Sequence, residues 1–179
     1  MSTDLGTFDE REFEEFALAR TPQLYRSAWL LCGDRHQAED LVQETLAKVY
    51  ARWRRPFVSR IDNPAAYAQT TLTRTFLSAR RRRSNHETPY DALPDAAAPD
   101  PAAASDLRLA LREALGGLAP VDRAVVVLRY LEDLTVDEVA ARTGLSSGAV
   151  RNRSMRALAR LRPLVDADIS APQNPRGTP

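Results

Sequence analysis

The sequence predicts an all-α protein of two small helical domains joined by a flexible, acidic linker rich in proline and alanine. Apolar residues recur at spacings of three and four in both halves, and no alternating strand pattern bounded by turn residues appears. The segment PYDALPDAAAPDPAAAS, at 89–105, carries four prolines and seven alanines without a periodic apolar face. We therefore predict domains at 8–84 and 106–167, a linker at 85–105 and a disordered tail at 168–179.

Three helices are predicted in the first domain. Thr21 can cap a helix that starts at Pro22 and stops at Gly33. A second helix places its apolar residues between 38 and 50 on one side, and a third begins at Asn63 and runs into an arginine tract. The predicted buried stripe of this third helix consists of Tyr67, Ala68, Thr71, Leu72, Thr75, Phe76 and Ala79.

The second domain is predicted to open with a helix near Leu107 that ends at the glycine pair 116–117. Pro120 opens the next helix. Thr135 and Glu138 have the spacing of a capping box, in which each side chain satisfies the other residue's backbone amide. A short helix is therefore expected to begin here.

The residues that follow have helix-turn-helix spacing. Counted from Val136, small Ala140 is fifth, Gly144 is ninth and Val150 is fifteenth, as needed for a close crossing, a tight turn and a filled gap between two helices. Arginine can grip guanine and asparagine adenine, so the second helix suits a DNA major groove. Ser146 can cap this helix, and its outward residues are Arg151, Asn152, Met155, Arg156 and, near the flank, Arg160. The alternative is an arginine-studded, solvated helical hairpin.

Charge is segregated along the chain, although the net charge is only +1. Residues 51–83 carry nine arginines and one acid, residues 84–106 carry five acids and no lysine or arginine, and residues 139–165 carry six arginines and no acid. Separate basic blocks favour a polyanion bound at two places. The tract Arg80–Arg83 exceeds what a helix end needs, so we predict that it contacts phosphates.

Several classes of protein are disfavoured by composition. A single cysteine, Cys32, and two histidines give little material for disulfides, zinc sites or histidine-based catalysis. No apolar stretch approaches the length of a membrane span, and the start of the chain is acidic rather than leader-like. The sequence thus favours a cytoplasmic protein without catalytic residues, metal or other cofactor. An enzyme alternative, a metal-dependent nuclease using Asp40 and Glu44, would need further ligands nearby.

Three segments together resemble one protein family. They are GDRHQAEDLVQETLAKVYARW at 33–53, NPAAYAQTTLTRTFLSARRRR at 63–83 and LRYLEDLTVDEVAARTGLSSGAVRNRSMRALARLR at 128–162. The chain is similar, over about residues 9–165, to extracytoplasmic-function (group IV) sigma factors of bacterial RNA polymerase, in the sigma-70 family and of actinobacterial style. The resemblance implies that the first domain is region two, the second is region four, and the linker runs near the active centre and RNA exit path.

The resemblance also implies three sets of functional residues. One set, Asp40, Gln43 and Glu44, would bind core polymerase at the clamp of its largest subunit. Region four would meet the flap of the polymerase. A second would handle the downstream promoter element and single-stranded DNA: Gln69, Thr70, Thr73, Arg74, Arg80, Arg81, Arg82 and Arg83. The third would read the upstream element: Ser147, Arg151, Asn152, Met155, Arg156 and Arg160.

Two positions depart from the family pattern. Arg74 stands where the family usually has asparagine, and Ser154 where its recognition helix usually has leucine. The family also implies regulation by a separate anti-sigma partner or through transcription of the chain's own gene. A competing hypothesis is a free-standing helix-turn-helix regulator whose first domain dimerises or binds a ligand. Such a regulator has no reason to carry the polar face around Glu44 beside a basic helix.

Overall fold

The computed structural model describes residues 10–55, 61–86 and 106–170. Over these ranges the chain forms seven α-helices and one π-helical turn and no strand, which confirms the all-α prediction. Most of the predicted linker, 87–105, and of the tail, 171–179, lies outside the described residues. The helices are α1 Glu10–Cys32, α2 Arg35–Trp53, α3 Pro64–His86, α4 Asp106–Gly116, α5 Pro120–Val126, the π-helical turn Val127–Leu131, α6 Val136–Thr143 and α7 Ser147–Ser170.

None of the described helices is long and apolar enough to cross a membrane. Two of them run past the predicted domain ends at 84 and 167, because α3 continues to His86 and α7 to Ser170.

Helices α1, α2 and α3 form a bundle around an apolar core. Their fully buried members include Leu31, Val49 and Leu72. Gly33 separates α1 from α2 with a φ of 71°, a left-handed conformation that glycine adopts without a steric cost. Burial raises the pKa of the Cys32 thiol to about 11, so this cysteine is a protonated packing residue at neutral pH.

The predicted start of α1 was wrong. The helix begins at Glu10, and Pro22 lies inside it. Phe13 and Phe16 pack against Trp53 at ring-centroid distances of 5.6 and 5.3 Å, and these contacts hold the turns before the proline in helical form. Proline removes one backbone donor from this stretch, and the hydroxyl of Thr21 adds a bond to the Ala17 carbonyl at 2.7 Å.

The predicted buried stripe of α3 was incomplete. Gln69, Thr73 and Leu77 are buried although the stripe omitted them. Helix α3 contacts α5 and α6 of the second domain as well as α1 and α2, so it is covered on more than one side. Its N-terminus follows the prediction, because Asn63 accepts a hydrogen bond from the Ala66 amide at 2.9 Å.

The second domain has its own small core and also shares the core of the first. Val125, Leu128, Val139 and Val150 form the small cluster that joins α5, the π-helical turn, α6 and α7. Other second-domain residues belong to the same continuous cluster as Leu31 and Leu72 of the first domain: Leu115, Leu118, Ala124, Val126, Val127 and Ala157. The two domains are therefore packed together through apolar side chains.

Candidate nucleic-acid interface

The predicted polymerase-binding residues lie on the exposed side of α2. Asp34 starts this helix, since its carboxylate accepts from the Gln37 amide at 2.8 Å. Asp40, Gln43 and Glu44 are all exposed. Glu44 pairs with Lys48 one turn later at 2.8 Å. The structure thus presents the three predicted residues together on one solvated surface.

A cavity of about 570 Å³ opens beside α3. Of the residues predicted to handle single-stranded DNA, Thr70 and Arg74 line it. Lys48 reaches in from α2 and donates to the Thr75 hydroxyl at 3.0 Å. Four lining residues of α3 were not assigned to the site from the sequence: Tyr67, Thr71, Thr75 and Ser78. All but Thr75 lie three or four positions from Thr70 or Arg74, which was a usable signal. Lys48 had no such signal, because it comes from another helix.

The structure divides the arginine tract. Arg80 is half-buried, donates to the Gln37 side chain at 2.9 Å and lies over the Phe76 ring at 5.6 Å. The next three arginines, Arg81–Arg83, are exposed. Three guanidinium groups at the end of α3 are thus open to solvent, while the first arginine of the tract packs against α2 and α3.

Two of the remaining predicted residues of α3, Gln69 and Arg74, contact the second domain. Gln69 is buried, and its amide nitrogen donates to Ser27 at 2.7 Å and to Glu132 at 2.6 Å. Thr73 is completely buried. The guanidinium of Arg74 donates to the backbone carbonyls of α6 at its C-terminal end. In this arrangement Gln69 and Thr73 have no open surface for DNA.

The helix-turn-helix forms as its spacing predicted. Thr135 and Glu138 close the capping box, and the hydrogen bonds from Thr135 lower the pKa of the Glu138 carboxyl. Gly144 has a φ of 76° at the end of α6, and Val150 is completely buried between the helices. Ser146 accepts from the Ala149 amide at 3.2 Å and so caps α7.

Helix α7 presents an exposed face that matches the predicted one. Its exposed residues are Arg151, Asn152, Met155, Arg156 and Arg160. Ser147 instead donates to the Asp137 carboxylate at 2.6 Å, and Arg153 pairs with Asp122 at 2.6 Å. Ser154 faces inward, where its buried hydroxyl has no hydrogen-bond partner.

Comparison with known sequences identifies both halves of the chain. Sigma-70 region 2 matches residues 16–86, and Sigma-70, region 4 matches residues 108–161. The RNA polymerase sigma-E factor of Streptomyces coelicolor is 38% identical over 161 residues, which cover 89% of this chain and 90% of that protein. The chain belongs to the sigma-70 family. Regions 2 and 4 are accordingly the first and second domains described above.

Other sigma factors give the same result. The ECF RNA polymerase sigma factor SigL of Mycobacterium tuberculosis is 32% identical over 145 residues, covering 78% of this chain and 80% of that protein. A solved structure of the sigma factor RpoE from Bartonella quintana, in complex with the anti-sigma factor NepR, matches with a TM-score of 0.69 at 28% identity. The match covers 88% of this chain and 99% of that one.

These relatives favour the sigma-factor interpretation over a free-standing regulator, and their family acts with core RNA polymerase and promoter DNA. Among the described residues, no three histidine, cysteine, aspartate or glutamate side chains lie close enough together to hold a metal ion.

Proposed function

We propose that this chain is a transcription initiation factor that docks on core RNA polymerase, directs it to promoters with two sequence elements and starts strand opening. The observation that carries the proposal is that one chain presents two separate surfaces suited to nucleic acid, the exposed face of α7 and the cavity beside α3. The chain contributes no catalytic group, since phosphoryl transfer belongs to the polymerase. It acts where the polymerase acts, in the cytoplasm.

Docking uses the exposed carboxylates of α2. Asp40 and Glu44, with the amide of Gln43 between them, form a polar surface suited to a basic partner such as the clamp of the largest polymerase subunit. Region 4 would meet the flap. Two attachment points would hold the two DNA-reading surfaces at a fixed separation on the polymerase.

Upstream recognition uses the first three turns of α7. Arg151 and Arg156 can each donate two hydrogen bonds to a guanine, and Asn152 can pair with an adenine. Met155 is 66% exposed and offers an apolar contact for a thymine methyl. Arg160, further along the helix, would contact a phosphate and so contribute affinity rather than sequence preference.

Downstream recognition uses the cavity beside α3. Its volume lies in the range of about 300 to 1,000 Å³ that is typical of small-ligand sites, so an unstacked base can enter it. Tyr67 supplies an aromatic surface, while Thr70 and Thr71 supply hydroxyl groups. The exposed arginines Arg81–Arg83 would follow the DNA backbone without regard to sequence.

The functional units proposed for this mechanism remain residues 8–84 and 106–167, with a connecting segment at 85–105. Regulation by an anti-sigma factor is proposed by analogy, because the similar RpoE of Bartonella quintana was solved in complex with one.

Run-off transcription tests the function directly. Purified core polymerase would be supplied with promoter fragments from the source genome, with and without the chain. We expect specific transcripts only in the presence of the chain. Absence of specific transcripts, together with binding of the chain alone to the same fragments as a dimer, would instead support the free-standing regulator.

A further inference from the structure

We propose that region 4 acts as an intramolecular cover over the DNA-handling face of region 2, and that Arg74 is the residue over which region 4 and single-stranded DNA compete. The inference rests on the proposed function of α3. It adds that in the chain by itself region 4 covers the part of this face around Gln69 and Arg74, while the cavity lined by Thr70 and the upstream-reading helix stay accessible.

The first observation is the use of Arg74. Its Nη2 donates to the Ala141 carbonyl at 2.9 Å, and its Nε donates to the Arg142 carbonyl at 3.2 Å. These carbonyls lie in the last turn of α6, where backbone acceptors lack intrahelical partners and the helix carries partial negative charge. The guanidinium edge formed by Nε and Nη2 is one of the two edges with which an arginine can grip a phosphate or a base in a bidentate manner. Region 4 therefore occupies donors that DNA would otherwise use.

The second observation is a partly buried polar contact that joins region 4 to α3 beside Arg74. Glu132, in the turn before α6, accepts from the Gln69 amide at 2.6 Å with one carboxylate oxygen. Its other oxygen lies 3.7 Å from Arg142, and these two side chains are only 15% and 16% exposed. One carboxylate thus joins a residue of α3 to a residue of α6, in a place where solvent screens little.

A third contact joins the regions at the end of α1. Arg123 donates to the Leu31 carbonyl of region 2 at 2.8 Å, and also to the Gly116 carbonyl of its own region at 2.9 Å. Beneath these polar contacts lies the apolar cluster that includes Leu72 and Val127 from the two regions. The closed arrangement therefore combines a shared core with directed hydrogen bonds.

The consequences for DNA differ between the two surfaces. Three of the eight predicted downstream residues are withdrawn from DNA, because Gln69 and Thr73 are buried and Arg74 is engaged. The upstream face is not, because Arg151, Asn152 and Arg156 of α7 remain exposed. Opening of the interface between the regions would release the first surface without altering the second.

Substitution of Glu132 tests the cover without changing any residue assigned to DNA. Glu132→Lys places a cation against Arg142, whereas Glu132→Gln keeps the shape and removes the charge. Glu113→Lys is the matched control, because it makes the same charge change at an exposed position of α4. The full chain would be measured by small-angle X-ray scattering and by binding of a short fluorescent single-stranded DNA of randomised sequence.

We expect Glu132→Lys to increase the radius of gyration and to strengthen single-strand binding by about fivefold or more, because apparent affinity rises with the fraction of open chain. Glu132→Gln should change both quantities in the same direction but less. Glu113→Lys should leave the radius unchanged and strengthen binding only slightly. Arg74→Ala should expand the chain without any gain in single-strand binding, because it removes the side chain that both region 4 and the single strand would bind.

Two results would overturn the proposal. One is that both Glu132 variants keep native helicity by circular dichroism and change neither the radius of gyration nor the affinity for single-stranded DNA. The other is an expanded chain that binds single strands no better than the control. Run-off transcription by wild-type holoenzyme judges the proposed function separately, because it does not depend on the state of the chain without polymerase.

Discussion

Reversing the charge of Glu44 tests the polymerase-docking surface with little risk to the fold. Glu44 and Lys48 form a pair at 2.8 Å whose side chains are 45% and 48% exposed. Exposed pairs one turn apart stabilise a helix by about 0.3 to 0.5 kcal/mol, and a like-charge pair costs a similar amount. Glu44→Arg should therefore lower the free energy of unfolding by no more than about 1 kcal/mol.

The expected effect on polymerase binding is larger. A charge reversed against a basic, desolvated partner surface costs on the order of 2 kcal/mol, which corresponds to an increase of about 30-fold in the dissociation constant. Asp40→Arg should act in the same direction. The measurement is a titration of fluorescently labelled chain with core polymerase, with thermal unfolding followed by circular dichroism to confirm the fold.

Glu39→Arg is the matched control for this experiment. Glu39 forms an equivalent pair with Arg35 on the same helix at 3.0 Å but lies outside the predicted docking residues. It should bind core polymerase nearly as well as wild type. A folded Glu44→Arg chain that binds core polymerase within about threefold of wild type would refute the docking assignment. Equal losses of affinity for the Glu44 and Glu39 variants would mean that general charge, rather than this surface, attracts the polymerase.

Four further predictions concern DNA binding and stability. Each of the variants Arg151→Ala, Asn152→Ala and Arg156→Ala should relax sequence preference at one upstream position by about 1 to 3 kcal/mol, whereas Arg160→Ala should weaken binding to cognate and scrambled duplexes alike. Equal losses of affinity on both duplexes for every variant would exclude base readout by α7. Neutralising Arg81–Arg83 together should lower promoter affinity and reduce the slope of log K against log salt by about 3, and an unchanged slope would remove their phosphate role. Arg74→Ala holoenzyme should lose transcription on duplex promoters but retain it on a premelted bubble, and an equal loss on both templates would shift the opening role to other residues of α3. Ser154→Ala should raise the free energy of unfolding, measured in urea, by about 1 kcal/mol because it deletes a buried hydroxyl without a partner; a loss of stability would indicate that the hydroxyl is bonded in solution.

The helix-turn-helix could be predicted from sequence because each of its signals is local. The capping box joins Thr135 to Glu138, and the left-handed turn needs glycine at 144. Each signal depends on residues only a few positions apart, so the interacting residues can be identified from a short segment of sequence. The exposed face of α7 follows from the same spacing once Val150 is fixed as the buried residue.

The start of α1 could not be predicted in the same way. Thr21 and Pro22 form a good local start signal, yet the helix begins at Glu10. The deciding contacts are those of Phe13 and Phe16 with Trp53 at the far end of α2. Such packing between helices carries no local signature, and here it outweighs the preference for proline at a helix start.

The candidate site in region 2 was predictable in part for a related reason. Thr70 and Arg74 follow from the family pattern on α3, but Lys48 enters the cavity from α2. Gln69 is buried and donates to Glu132 of region 4, which lies 63 positions away along the chain. Apolar periodicity along one helix identifies a single buried face. When a second domain covers another side of the helix, the polar residues on that side are wrongly predicted to be exposed.

The arginine at position 74 links the two uses of α3. A short side chain such as asparagine could not span from α3 to the carbonyls of another helix and grip two of them, whereas a guanidinium on a three-carbon stem reaches Ala141 and Arg142 together. A long cation free in solution would also attract any nucleic acid, because phosphate binding is insensitive to sequence. Engaging that cation with α6 withholds Arg74 from nucleic acid before the chain meets polymerase, while Arg81–Arg83 stay exposed. Separation of regions 2 and 4 on the polymerase would then release Arg74 at the place and time at which a single strand is to be captured.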